Sequence, residues 1–133
     1  MRNAACMAGR MVTIERRGRP ILIVDDDRDI LAAERAVLAE GGYAVREAHN
    51  GAEALVALDV DPPAMIVLDV QMPGIDGPTF ARELRNRLRH VPLVILTAAP
   101  DPKREADRCN AEAYLAKPFR AEDLLQLVRR FST

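Results

Sequence analysis

The sequence of 133 residues predicts an α/β fold, a parallel sheet doubly wound by helices. Three observations carry that expectation. Apolar runs at 21–24, 65–68 and 91–96 are too continuous for half-exposed strands and suit strands covered on both faces. The segments between them place apolar residues on a 3.6-residue period. Strand-like and helix-like patterns alternate five times along the chain, as successive βα units do.

Taken in order, residues 1–18 mix Met, Ala, Gly and Arg without periodicity and read as a disordered basic leader. The domain proper is expected over 19–133. Its first strand is Ile21–Val24. The first helix, 28–40, sets Ile30, Leu31, Glu34, Val37 and Leu38 on one period, with Asp27 as a candidate cap and Gly41-Gly42 as a stop. A weaker strand fits Tyr43–Ala48. Asn50-Gly51-Ala52-Glu53 resembles a capping box opening a short helix with Leu55 and Leu58 inward. The third strand, 65–68, leads to Asp76-Gly77-Pro78, where Asp76 is read as a cap or turn residue and Pro78 suits a first helical turn. Phe80, Leu84 and Leu88 follow at four-residue spacing. Strand 91–96 is followed by the weakest helix, 102–109, then strand Glu112–Ala116 and a helix over 121–131 carrying Leu124, Leu125, Val128 and Phe131.

The length suits one domain with a single core. Residues 1–19 carry five arginines against Glu15, a charge of +4; since the whole chain is −1, the remainder is −5. An acidic body argues against nucleic-acid binding, which needs a basic face. No apolar run is long enough for a membrane span, and the start lacks a signal-peptide core. Cys6, in the leader, and Cys109, in a polar helix, form no disulfide framework, so a reduced, cytoplasmic setting is expected. His49 and His90 stand apart from any Cys pair and read as surface loop residues, leaving zinc without support.

The chemistry concentrates where strands end. Ligands of doubly wound sheets bind at the carboxyl ends of the strands, near the topological switch point. There the chain places Asp25, Asp26 and Asp27 after the first strand, Asp69 after the third, Thr97 after the fourth and Lys117 after the fifth. Clustered carboxylates take up protons or bind a cation, and an all-oxygen site with open positions suits Mg²⁺. Two acids for the metal, a third as nucleophile, and a hydroxyl and an ammonium for phosphoryl oxygens make a phosphoryl-transfer set.

Ile21–Asp27, Met65–Gly77, Leu93–Ala98 and Tyr114–Phe119, in that order and at strand ends, resemble the receiver domain of bacterial two-component response regulators. The resemblance covers residues 20–131. It implies a flavodoxin-like (βα)5 fold with strand order 2-1-3-4-5. It also implies that Asp69 accepts a phosphoryl group from the phosphohistidine of a histidine kinase or phosphotransfer protein. Asp25, Asp26 and Asp69, with the backbone carbonyl of Gln71, would hold Mg²⁺. Thr97 would bind the phosphoryl group and Lys117 would pair with it, with the Lys117–Pro118 bond cis. Thr97 and Tyr114 would form the switch. Such a domain is not a conventional enzyme, though it catalyses its own phosphorylation and dephosphorylation. Its expected partners are the kinase and an output protein; a monomer or weak homodimer, with no membrane and no nucleic-acid contact, completes the expectation.

Departures from the family pattern fall at Gln71 and Ala99, which bear on the lifetime of the phosphorylated state. Asn110 stands where relatives often carry Gly, and Asn tolerates a left-handed backbone. Pro100 and Pro102 stiffen the entry to the fourth helix. Two other classes fit less. A small-molecule phosphatase with an aspartate nucleophile leaves Asp69 and Met72-Pro73 unexplained in a chain without room for a cap domain. A scaffold has no need of the full set of acids, Thr97 and Lys117.

Overall fold

A computed structural model describes residues 18–70, 76–87 and 90–132. Strands and helices alternate within them: β1 (Ile21–Val24), α1 (Arg28–Glu40), β2 (Val45–Ala48), α2 (Gly51–Val60), β3 (Met65–Asp69), α3 (Gly77–Arg87), β4 (Leu93–Thr97), α4 (Pro102–Arg108), β5 (Ala113–Ala116) and α5 (Ala121–Phe131). The five strands are parallel and lie in the order β2-β1-β3-β4-β5, as expected. Apart from Gly18, the leader lies outside the described residues, as do Gln71 and Leu88.

Successive strand side chains point to opposite faces, and each face carries its own core. On one side Leu22, Val24, Ile66, Leu68, Leu93 and Ile95 meet Ala54 and Leu58 of α2, Phe80 and Leu84 of α3, and Ala106. On the other, Ile21, Ile23, Met65, Val67, Val94 and Leu96 meet Leu31 and Leu38 of α1 and Leu124 and Val128 of α5. The three central strands are buried throughout, whereas β2 and β5, at the edges, are only half covered. Burying each of these Leu, Ile or Val side chains stabilises the fold by about 1.5–3 kcal/mol before entropy is subtracted.

Local chemistry fixes the helix ends. Asp27 caps α1, its carboxylate accepting from the N–H groups of Asp29 (2.9 Å) and Ile30 (3.3 Å). Gly42, with φ of +91°, turns the chain out of α1. Asn50 accepts from the Glu53 N–H at 2.8 Å, but the returning arm of the expected capping box reaches one residue further, to the His49 N–H at 2.9 Å. Asp76 opens α3, its carbonyl accepting from the Phe80 N–H and its carboxylate from the Thr79 hydroxyl at 2.7 Å. Asn110 takes the left-handed conformation (φ 55°), and the Lys117–Pro118 bond is cis.

The differences from expectation lie at margins. Tyr43 and Ala44 precede β2 because the Tyr43 N–H is drawn back to the Leu38 carbonyl, completing the turn after α1. Ile30 lies on the exposed flank of α1, since the strip that reaches the sheet is Leu31, Glu34 and Leu38. Helix α4 ends at Arg108, and Cys109 is not on a polar surface: it is fully buried beneath α3. A Cβ built on Gly77 would stand 2.6 Å from its sulfur, so these two positions share one space.

That shared space makes a prediction. Gly77→Ala should destabilise the fold by about 1–3 kcal/mol through overpacking. The penalty should shrink in a Cys109→Ala background, where the added methyl has room. Urea unfolding of the two single variants and the double variant checks this; equal penalties in both backgrounds would remove the shared-space argument.

Candidate functional site

The parallel register builds the site. Val24 of β1 lies opposite Leu68 of β3, so the next residues, Asp25 and Asp69, emerge side by side at the carboxyl edge. Strand order reverses direction between these two strands, which is the switch point where such sheets bind ligands. One strand along, Thr97 ends β4; its carbonyl accepts from the Lys117 N–H at 2.8 Å, fixing Lys117 beside it.

Asp69 is 5% exposed, and one of its oxygens accepts from Lys117 Nζ at 2.9 Å. Asp25 is 1% exposed. Its Oδ1 accepts from the Asp27 N–H at 3.0 Å, while its Oδ2 finds no donor among the described residues. Burial, and then the facing Asp69 carboxylate, push the Asp25 carboxyl from the ordinary 3.8 up to about 6, against the Asp27 N–H and the Lys117 charge. Asp26 is exposed beside this pair. Thr97 is fully buried, its hydroxyl oxygen accepting from the Ala99 N–H at 3.0 Å. Tyr114, on edge strand β5, is 39% exposed and faces outward.

The structure therefore brings together Asp25, Asp69, Thr97 and Lys117, with Asp26 at the rim. Gln71 lies outside the described residues, and Asp27 and Asp76 act as caps. Of the histidines, His49 follows β2 at this same carboxyl edge, where it pairs its Nδ1 with Glu53 at 2.9 Å, and His90 precedes β4 at the opposite edge and is exposed.

One further buried acid was not singled out by the sequence. Glu34 is 7% exposed on the inner strip of α1, and its carboxyl is pushed from 4.5 up to about 7. Burial is the main cause; the charges of Asp25 and Asp69 add to it and that of Lys117 opposes it. The signal was a carboxylate occupying a position of the apolar period.

Among the described residues, no three His, Cys, Asp or Glu side chains converge to form a complete metal cage. Mg²⁺ does not require one, because it is bound through one or two carboxylates with waters and phosphate oxygens filling the rest. Asp25 and Asp69, all-oxygen donors with a buried oxygen awaiting a partner, fit that demand.

Fold and edge chemistry define a receiver, and the chain belongs to the response regulator receiver domain family of two-component systems, whose family model matches residues 21–129. It is 41% identical over 111 residues to the response regulator MprA of Mycobacterium avium (strain 104), covering 82% of this chain and 49% of that protein. The chain thus spans about half the length of the curated relatives it matches. Among solved structures it resembles the chemotaxis protein CheY4 of Vibrio cholerae, with a TM-score of 0.76 and 32% identity over 85% of this chain and 98% of that one. The receiver domain of the sensor histidine kinase PA1611 of Pseudomonas aeruginosa, solved with a magnesium ion coordinated in its active site cleft, gives 0.76 and 29%, over 86% and 98%. The family is a signalling one rather than a classical enzyme family, and its domains are paired with histidine kinases as phosphodonors. Among the described residues no helix is long and apolar enough to cross a membrane.

The buried acids leave a mark on stability. A carboxyl whose folded pKa is raised binds its proton more tightly in the fold, so the fold loses stability as pH climbs from the unfolded to the folded value. For Glu34 that window runs from 4.5 to about 7, and the full loss is about 3 kcal/mol. Glu34→Gln, which cannot ionise, should match the wild type near pH 4 and exceed it by about 2–3 kcal/mol at pH 8. Urea unfolding across that range checks it; a constant difference would contradict the raised pKa.

Proposed function

We propose that this receiver domain accepts a phosphoryl group on Asp69 from the phosphohistidine of a histidine kinase or phosphotransfer protein. The observation that carries the reading is the Asp69 carboxylate itself. It is nearly buried at the switch point, held by Lys117 on one side and faced on the other by Asp25, whose Oδ2 lacks a donor among the described residues.

Each residue then has a task. A carboxylate attacks an anionic phosphoryl group only when the charge between them is screened. Lys117 supplies a positive charge already in hydrogen-bond contact with Asp69. Mg²⁺, held by Asp25, Asp26 and Asp69 and by the Gln71 carbonyl, would add the other positive charge and shield the phosphoryl oxygens. The Asp69 oxygen forms a bond to phosphorus as the bond to the donor imidazole breaks, and the imidazole nitrogen keeps the electron pair. The resulting acyl phosphate brings new acceptors to the edge, and the Thr97 hydroxyl can donate to one of them while its oxygen keeps the Ala99 N–H. Because Thr97 is tied to Lys117 through the backbone, and Thr97 pairs with Ala116 in the ladder, movement there is passed to β5 and to Tyr114. The exposed Tyr114 then reports the change to an output partner. Phosphorylation and dephosphorylation of this kind are single events on the domain's own residue rather than turnover of a free substrate. A cytoplasmic protein with residues 19–133 as the receiver unit and 1–18 as a leader agrees with this reading.

Intact-mass measurement after incubation with acetyl phosphate and Mg²⁺ tests it. The wild type should gain one phosphoryl group, and Asp69→Asn should gain none. Chelating the metal with EDTA should abolish the gain. Lys117→Ala should label at least about tenfold more slowly, since one such charge or donor is worth 10²–10³ in comparable sites. Absence of any gain in the wild type, with Mg²⁺ bound, would sink the phosphoacceptor reading.

A further inference from the structure

Helix α2 is apolar on every side. Ala54 and Leu58 are buried in the core layer, and Leu55 and Ala57 are half-buried against it. A surface helix ordinarily turns polar residues outward, and one that is apolar all round is ordinarily covered. Here Ala52, Val56 and Val60 follow at four-residue spacing, one above the next, on the exposed side. Val56 is 63% exposed and Val60 75%. They are two of the four large apolar side chains that stand exposed among the described residues, and they lie one turn apart. The stripe runs about 12 Å along the helix and forms one wall of a groove of about 470 Å³, whose other wall is Arg46 and Glu47 of the edge strand β2.

The charges beside the stripe are laid out end to end. Glu53 stands at the first turn, where its Oε1 accepts from the His49 N–H and pairs with the His49 Nδ1. Arg46 stands at the last turn, its Nη1 donating to the Asp61 carbonyl at 2.9 Å and its Nη2 to the Ala57 carbonyl at 3.5 Å. Both line the groove, so both lie on the β2 flank of the stripe. Asp59 lies on the other flank, where Arg87 of α3 donates to it at 3.0 Å.

Such a layout is complementary to itself turned end for end. About a two-fold axis level with Val56, Val56 meets Val56 and Ala52 meets Val60. Glu53 of one copy then comes level with position 59 of the other, beside the Arg46 guanidinium that spans the carbonyls of Ala57 and Asp61. The axis keeps each flank on its own side, so Glu53 meets Arg46 rather than Asp59. Antiparallel helix dipoles add to the fit. Pairing through the strand edge fits worse: a two-fold through the middle of β2 sets Arg46 against Arg46 or Glu47 against Glu47, like charges directly opposite.

We propose that the outer face of α2 is a homodimer interface, on which a second copy of this chain lays its own Ala52, Val56 and Val60 stripe antiparallel, with Glu53 of each copy paired to Arg46 of the other. The contact is isologous, and both charge pairs form at once. One helix face offers little area, so the dimer is a weak one. Val56, on the axis, is the position most completely withdrawn from water. The interface uses no residue of the acidic edge and is independent of the phosphoacceptor reading.

Sedimentation equilibrium of the full chain between about 10 μM and 1 mM reads the association. The wild type should show a monomer–dimer equilibrium within that range. Val56→Lys and Val60→Lys, at exposed positions that leave the core untouched, should each weaken it at least about tenfold. Arg46→Glu and Glu53→Arg should each weaken it too, because each sets like charges together at both crossings. An equimolar mixture of those two variants puts opposite charges back at both crossings and should recover the dimer, a rescue that local damage to either variant does not produce. Circular dichroism checks that each variant is folded. A wild type that stays monomeric to the top of the range would overturn the proposal. So would a dimer that Val56→Lys and Val60→Lys leave unchanged, or charge variants whose mixture associates no better than each alone.

Discussion

Two carboxylates held side by side at the edge of a parallel sheet are the constraint around which this molecule is organised. The β1–β3 register leaves Asp25 and Asp69 nowhere else to go. Like charges at that distance and depth cannot both stand alone. The protein answers with the Lys117 ammonium on Asp69, a proton held more tightly on Asp25, and an N–H from Asp27. Each answer is partial. The remaining imbalance is visible in the Asp25 Oδ2, which has no donor among the described residues.

The same constraint explains why stability and receptivity pull in opposite directions. The central strands and the two core layers are apolar and closely covered. Against them, Asp25 and Glu34 are buried acids that the fold would tolerate better as neutral isosteres. Such residues persist where activity needs a strained or unsatisfied group, and the surrounding core must supply the difference. Here the supply comes from strands in which nearly every side chain is fully buried.

Most of the architecture was legible because its signals are local and strong. Continuous apolar runs mark β1, β3 and β4, the Asp27 and Asn50 caps fix two helix starts, and Asn110 announces its left-handed turn. The site was legible for a different reason: strand ends in a parallel sheet share an edge, so Asp25, Asp69, Thr97 and Lys117 could be brought together on paper. What stayed hidden depends on distant neighbours. Periodicity counted Glu34 as part of an inward stripe but could not say that its carboxyl would be buried within reach of the charges of Asp25, Lys117 and Asp69. Cys109 looked like a polar-helix residue until α3 was laid over it. The ends of β2 and β5 shifted because edge strands are set by turns and pairing rather than by burial.

The sulfur under Gly77 has a use of its own. Burial raises the Cys109 thiol from 9.0 to about 11, so it is both sealed from reagents and poorly ionised in the native state. Only the thiolate reacts, and it reacts only when exposed. Alkylation of Cys109 therefore waits on the separation of α3 from the segment that follows α4. Its rate is a clock for local opening of that helix pair, read one molecule at a time by mass and distinguishable from Cys6 by peptide position. A receiver domain thus carries an intrinsic probe of how often one of its layers parts from the rest.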